Sequence, residues 1–194
     1  MLQAVVRPKP GLDSAIPKVK RLFEIIQNKS LLKGRFKLAS GAVSDYYLDM
    51  KPTTLDPEGI SLIADIIFAL LLNEEVDAIG GLELGAVPII TAVCQRSWPE
   101  HPIDGFIVRK EKKGHGTDKK IDGNFRSNTK VILFDDVTTK GGSVLQAVRA
   151  VREQNAAVTK VITVVDRLEG AAGNLAKEGV ELIPLLTTRD LLQS

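Results

Sequence analysis

Two runs of β-formers, Val131-Ile-Leu-Phe134 and Val161-Ile-Thr-Val-Val165, are apolar almost throughout instead of at every second residue. Strands of that kind must be covered on both faces, as in a parallel sheet with helices above and below. Further strand-like runs at Ala78 to Leu82, Phe106 to Val108 and Leu182 to Leu186 keep the rhythm. Helical spacings fill the intervals at Ala86 to Trp98, Gly142 to Gln154 and Gly170 to Glu178. Strands alternating with helices imply right-handed crossovers, hence an α/β fold with a central parallel β-sheet flanked by helices. In such sheets ligands sit beyond the carboxyl ends of the strands, so the residues after each run carry the functional information.

Ahead of this core, Met1 to Leu12 holds two prolines and a glycine and is expected to be a flexible arm. From Asp13 the spacing of Ile16, Val19, Leu22, Phe23, Ile25 and Ile26 predicts a helix opened by an Asp-Ser cap. Two short extended pieces follow, around Arg35 to Leu38 and Tyr46 to Met50, divided by Ser40-Gly41. Asp56-Pro57 then starts a helix expected to run to about Asn73. With no repeat and no linker, the reading is a single domain over residues 1–194, comprising the arm (1–12), a small N-terminal part (about 13–55) and the α/β core (about 56–194).

Composition narrows the function classes. A net charge of +2 over 194 residues argues against bulk recognition of a polyanion, so no nucleic-acid partner is expected and anion binding has to be local. The lone cysteine, Cys94, cannot form an intrachain disulfide and suits a reducing cytoplasm. The first residues lack the basic and apolar regions of a signal peptide. The longest apolar-rich run, Ile60 to Leu72, is interrupted by Ser61 and Asp65 and is shorter than the roughly 20 residues of a membrane span. The expectation is a cytoplasmic protein without a membrane partner.

The most informative string is Val131-Ile-Leu-Phe-Asp135-Asp136-Val137-Thr138-Thr139-Lys140-Gly141-Gly142-Ser143. A buried strand ends in two carboxylates, and a turn rich in glycine and hydroxyls feeds straight into a helix. Backbone N–H groups there can converge on a phosphate at the helix N-terminus. The carboxylates would repel that phosphate but suit the hydroxyls of an attached sugar, or a Mg²⁺ shared with a second phosphate group. Ordinary turn and cap residues are the alternative. Neither G-x-x-x-x-G-K-[ST] nor a G-x-G-x-x-G after a strand occurs.

That string resembles the ribose-phosphate signature of type I phosphoribosyltransferases, which bind phosphoribosyl pyrophosphate (PRPP). Phe36-Lys-Leu-Ala-Ser-Gly41 with Ser44-Asp-Tyr-Tyr47 is similar to the F-x-L-x-S-G…S-x-Y-Y hood of orotate phosphoribosyltransferases. Arg109-Lys-Glu-Lys-Lys-Gly-His-Gly116 resembles their R-K-E-x-K-x-H-G loop, and Asp166-Arg167 a strand-end pair whose arginine meets the orotate carboxylate. Gly80 to Pro88 looks like their pyrophosphate loop. The resemblance runs from about Phe36 to Arg167. It implies the type I phosphoribosyltransferase fold with a small N-terminal hood, and transfer of ribose 5-phosphate from PRPP to N1 of orotate with Mg²⁺ as cofactor. It also implies a homodimer in which the Arg109–Lys120 loop acts in trans. The rival readings are a sister enzyme using a purine or uracil and a non-catalytic PRPP-sensing regulator that binds nucleic acid.

Residue by residue, the resemblance assigns Asp135 and Asp136 to the ribose and its metal, and Val137, Thr138, Thr139, Lys140, Gly141, Gly142 and Ser143 to the phosphate. Arg109, Lys110, Lys113 and His115 are expected on the pyrophosphate side, with Arg109, Lys113, His115 and Asp136 in the catalytic roles. Thr139, Arg167 and Tyr47 are expected at orotate, with simple core packing the other reading of Tyr47. The chemistry of the loop agrees: residues 109 to 120 hold six basic side chains against two acidic ones, with glycines at 114 and 116. It lacks the aromatic residues that stack bases. The chain departs from the family at Ala39 and Gly85, where other members carry lysine. Lys37 shares a strand face with Ala39 and is expected to supply the charge. Asp49-Met-Lys51 is similar to the start of the D-x-K-x-x-D of orotidylate decarboxylases, but residue 54 is Thr. Cys94 and Trp98 are read as packing residues, and His101 is given no role.

Overall fold

The computed structural model describes residues 15–37, 41, 43–111 and 120–193. The elements are α1 (Ile16–Lys29), β1 (Leu31–Lys37), β2 (Val43–Leu48), α2 (Lys51–Thr54), α3 (Pro57–Leu71), β3 (Ala78–Gly81), α4 (Ala86–Ser97) and β4 (Asp104–Val108). They continue with β5 (Ile121–Gly123), β6 (Lys130–Thr138), α5 (Gly142–Arg152), β7 (Ala157–Asp166), α6 (Ala171–Lys177), β8 (Glu181–Thr187) and α7 (Thr188–Leu192). The expected flexible arm and the Asp13-Ser14 cap lie outside the described residues.

The main sheet has the order β5-β4-β3-β6-β7-β8. All neighbours run parallel except β5, which pairs antiparallel with β4. Alternate residues of the central strands feed two cores. Ile79, Ile132, Phe134 and Ile162 pack with α1, α3 and α4 on one face. Ala78, Val131, Leu133 and Val161 pack with α5 and α6 on the other. That double coverage is why these strands are apolar throughout. After β3 the chain builds outward to β4, then returns to the other side of β3 as β6. The strand order therefore reverses between β3 and β6, and a crevice opens at their carboxyl ends.

β1 and β2 form a separate antiparallel hairpin, with Lys33 opposite Tyr46 and Phe36 opposite Ser44. Asp49 N–H donates to the carbonyl of Ser30 at its base, and the buried hydroxyls of Ser30 and Thr53 meet at 2.6 Å. α3 starts as its sequence predicts: the Asp56 carboxylate accepts from Gly59 N–H at 2.8 Å. Among the described residues no helix is long and apolar enough to cross a membrane.

Candidate functional site at the strand-order reversal

A cavity of about 420 Å³ opens at that crevice. One wall is the segment after β3, Leu82 to Gly85 with Val87 and Pro88. The other is the end of β6, Asp135 to Val137, with Ser143 of α5. Lys51, Thr54, Leu55 and Lys110 complete it. The two β-strands that flank the reversal thus supply the two facing loops.

At the end of β6 the carboxylates are tied to their own backbone. Asp135 Oδ1 accepts from Asp136 N–H at 3.1 Å, and Asp136 Oδ1 from Val137 N–H at 2.9 Å. Burial pushes the Asp135 carboxyl well above the ordinary range, and the neighbouring charge of Asp136 adds to the effect. Gly85 packs directly on this pair: a Cβ there would stand 2.3 Å from Asp136 Oδ1. The glycine is what lets the two walls approach.

Beyond the carboxylates, the carbonyls of the turn are occupied. Thr138 O accepts from Arg167 N–H, Thr139 O from Ala171 N–H, Lys140 O from Asn174 Nδ2 and Gly141 O from Leu145 N–H. In a planar trans peptide the N–H points opposite to the carbonyl. The amides of residues 139 to 142 are therefore turned away from those partners, at the N-terminus of the eleven-residue α5. Gly141 caps the helix at φ 79°, a conformation glycine adopts without steric cost. Thr138 is buried and donates its hydroxyl to Asp166 Oδ1 at 3.2 Å; Thr139 and Lys140 are exposed.

The basic loop is the connection of a hairpin. Arg109 N–H donates to Lys120 O at 2.9 Å where β4 ends and β5 begins, and Arg109 Nε donates to Asp122 Oδ2 at 2.6 Å. Lys110 reaches the cavity, and its peptide is held at both ends: its N–H donates to Glu83 Oε1, while its carbonyl accepts from Gln146 Nε2, each at 2.9 Å. The assignments made to Lys113 and His115 lie outside the described residues, as does Ala39. Lys37 is exposed at the end of β1 and is not among the cavity walls.

Arg167 follows β7, with its side chain only 10% exposed. Its guanidinium lies 4.9 Å from the Tyr46 ring, and its Nε is 2.8 Å from Glu169 Oε1 without hydrogen-bond alignment. Tyr47 points to the other side of β2, exposed, with its ring 5.7 Å from that of Phe36. Core packing thus belongs to Tyr46 and not to Tyr47. Trp98 also departs from its packing assignment. α4 ends at Ser97, the following proline favours extended backbone at residue 98, and the indole is 71% exposed. Cys94 is half-buried against Gly105, and burial raises its thiol, with Asp104 acting in the same direction. Sequence reasoning gave no site role to Glu83 and Gln146, whose side chains hold the Lys110 backbone from 27 and 36 residues away, nor to Lys51 of the cavity wall.

Comparison with known proteins fits this geometry. The phosphoribosyl transferase domain family matches residues 54–183. An orotate phosphoribosyltransferase of Rhodopseudomonas palustris (strain BisB5) is 45% identical over 177 residues, covering 89% of this chain and 95% of the relative. One from Methanocaldococcus jannaschii is 46% identical over 175 residues, 90% of this chain and 97% of the relative. Mycobacterium tuberculosis H37Rv orotate phosphoribosyltransferase, solved with Fe(III) dicitrate, superposes with a TM-score of 0.81 at 37% identity, covering 90% of this chain and 99% of that one. Its complex with PRPP gives 0.77 at 34% identity, with the same coverage of both chains.

Proposed function

The chain belongs to the phosphoribosyl transferase family and, within it, to the orotate phosphoribosyltransferases, and on that premise we propose how its residues carry the reaction. N1 of orotate forms a bond to C1 of PRPP as the bond from C1 to the diphosphate oxygen breaks. Orotidine 5′-monophosphate and pyrophosphate are the products. The observation that carries this assignment of roles is the Asp135-Asp136 pair, lying between a turn of outward amides and a cavity at the strand-order reversal.

Within the turn from Val137 to Ser143, the amides of residues 139 to 142 and the hydroxyls of Thr139 and Ser143 hold the 5′-phosphate, helped by the dipole of α5, while the Val137 amide and the Thr138 hydroxyl are bonded to Asp136 and Asp166. Asp135 and Asp136 accept hydrogen bonds from the ribose hydroxyls. Arg109, Lys110, Lys113 and His115 take up the charge that develops on the departing diphosphate. Arg167, stacked on Tyr46, presents a planar fork to the orotate carboxylate, with Thr139 beside the base; Tyr47, on the opposite side of β2, takes no part in this arrangement. No nucleophile from the chain is needed; holding both substrates in line lowers the barrier.

A Mg²⁺ ion fits this donor set. Asp135 and Asp136 are adjacent carboxylates, one of them desolvated, which a divalent cation would compensate. Among the described residues no group of three His, Cys, Asp or Glu side chains forms a cage, so the ion would be shared with PRPP oxygens, as Mg²⁺ commonly is. When bound, it neutralises charge on the diphosphate. We further propose a cytoplasmic homodimer in which residues 109–120 of each chain serve the partner's site. A long polar loop with few apolar anchors gains order against a neighbouring surface, which supports this arrangement.

The decisive assay mixes the protein with PRPP, Mg²⁺ and, in turn, orotate, uracil and adenine. Loss of orotate absorbance that requires PRPP and stops on chelation is the expected result. Turnover of uracil or adenine with orotate untouched would overturn the substrate, and undiminished turnover in chelator would overturn the metal.

A further inference from the structure

With the 5′-phosphate on the turn before α5, the diphosphate of PRPP must lie in the remainder of the cavity, beyond Asp135 and Asp136. Charge is the difficulty there. Three carboxylates, Asp135, Asp136 and Glu83, line the described walls against two lysines, Lys51 and Lys110. The segment after β3 brings Glu83 and no cation, and Gly85 has no room for a side chain beside Asp136. Lys110 comes from the β4–β5 hairpin. Lys51 is the other cation, and it comes from the opposite part of the chain, at the first residue of α2.

Lys51 is held by Asp49 at the edge of the cavity. Its side chain is 60% exposed, yet Asp49 Oδ1 accepts from its ammonium at 2.6 Å and from its own N–H at 3.1 Å. Pro52 in the first turn of α2 and the buried Thr53 and Thr54 fix the backbone from which it projects. The hydrogen bond to Asp49 raises the ammonium above the ordinary lysine range against the opposing effect of burial, and Asp136 acts from the cavity in the same direction.

We infer that Lys51 is a further substrate-binding residue whose ammonium takes the diphosphate of PRPP, and that Asp49 is the residue that positions it. The inference rests on the reaction proposed above. It also identifies the cavity cation that Gly85 cannot supply and that Lys37, outside the cavity, does not.

The test uses the full chain and compares wild type with Lys51→Met, Lys51→Gln, Lys51→Arg and a control, Lys20→Met, on the exposed side of α1. Lys51→Met and Lys51→Gln are expected to raise the KM for PRPP about tenfold or more while leaving that for orotate little changed, the size of losing one charge-assisted bond. Calorimetry with Mg²⁺ and inorganic pyrophosphate should show a matching loss of affinity, with Lys51→Arg restoring most of it. Asp49→Asn should weaken PRPP in the wild-type background and add nothing to Lys51→Met. Folded Lys51→Met or Lys51→Gln protein with unchanged KM for PRPP and unchanged pyrophosphate affinity would overturn the assignment. An Asp49→Asn effect that persists in full on Lys51→Met would remove Asp49 from it. If wild type fails to consume orotate, the proposed reaction falls, and the pyrophosphate titration still reads Lys51 independently.

Discussion

The guanidinium of Arg167 lies against the Tyr46 ring, and its backbone is fixed on both sides, with N–H to Thr138 O at 2.9 Å and carbonyl to the Thr188 hydroxyl at 3.0 Å. Stacking and backbone together set the plane in which the fork faces a ligand. Arg167→Ala is expected to raise the KM for orotate by the equivalent of about 1.5–3 kcal/mol, with the KM for PRPP much less affected. Steady-state kinetics with each substrate varied decides this, and a variant impaired only toward PRPP would move Arg167 out of the orotate site. Its position at a strand end was legible because Asp166-Arg167 directly follows a strand run, as Asp135-Asp136 does. Tyr46 and Tyr47 were not separable in the same way. Adjacent residues of a strand face opposite sides, and only the hairpin register tells which ring supports Arg167. Lys51 was noticed only in the Asp49-Met-Lys51 pattern and given no place in the site, because a four-residue helix has no periodicity to announce where its first residue projects.

Elements join through polar contacts as well as through the two cores. Asp65 of α3 bridges α1 and α4, accepting from Lys18 Nζ at 2.6 Å and Arg96 Nε at 2.7 Å, while the Arg96 guanidinium lies 4.6 Å from the Phe68 ring. Burial disfavours the charge of Asp65, yet these bonds hold its carboxyl below the usual carboxylate range. A lowered folded pKa contributes stability above the unfolded value and loses it as pH falls through the folded one. Asp65→Asn should therefore cost about 1 kcal/mol at pH 7, since both cationic partners are partly exposed. The gap in Tm between wild type and variant should close as the pH is lowered below the unfolded carboxylate range. An equal gap at pH 7 and pH 3 in thermal unfolding would show that the ion pairs are not its source. The long elements were legible from apolar runs and helical spacing. β5, three residues of Ile-Asp-Gly, and α7, five residues, were too short to carry a pattern. Missing β5 hid the antiparallel edge of the sheet, and with it the fact that the basic loop spans a hairpin.

For the whole molecule, the sheet order matters more than any single strand, because the reversal between β3 and β6 sets the two loops face to face. Assembly tests the rest. Lys113→Ala and Asp136→Ala subunits, each inactive alone, should recover about a quarter of wild-type activity when mixed, since half of randomly exchanged dimers are hybrid and each hybrid has one intact site under two-fold symmetry. No recovery, with native mass measurements proving exchange, means that the loop acts in cis. The hairpin also sets a ruler for this experiment. Arg109 and Lys120 are bonded to each other, so the loop between them starts and ends at one point on the sheet edge. Its midpoint is about six residues from either foot, and a fully extended chain covers at most about 3.6 Å per residue, so its backbone reaches about 20 Å and no farther. In a dimer, a site farther from the sheet edge than that radius plus the length of a lysine side chain is beyond the service of this loop, and lengthening the tether with inserted glycines, not changing its charges, is what would extend its range.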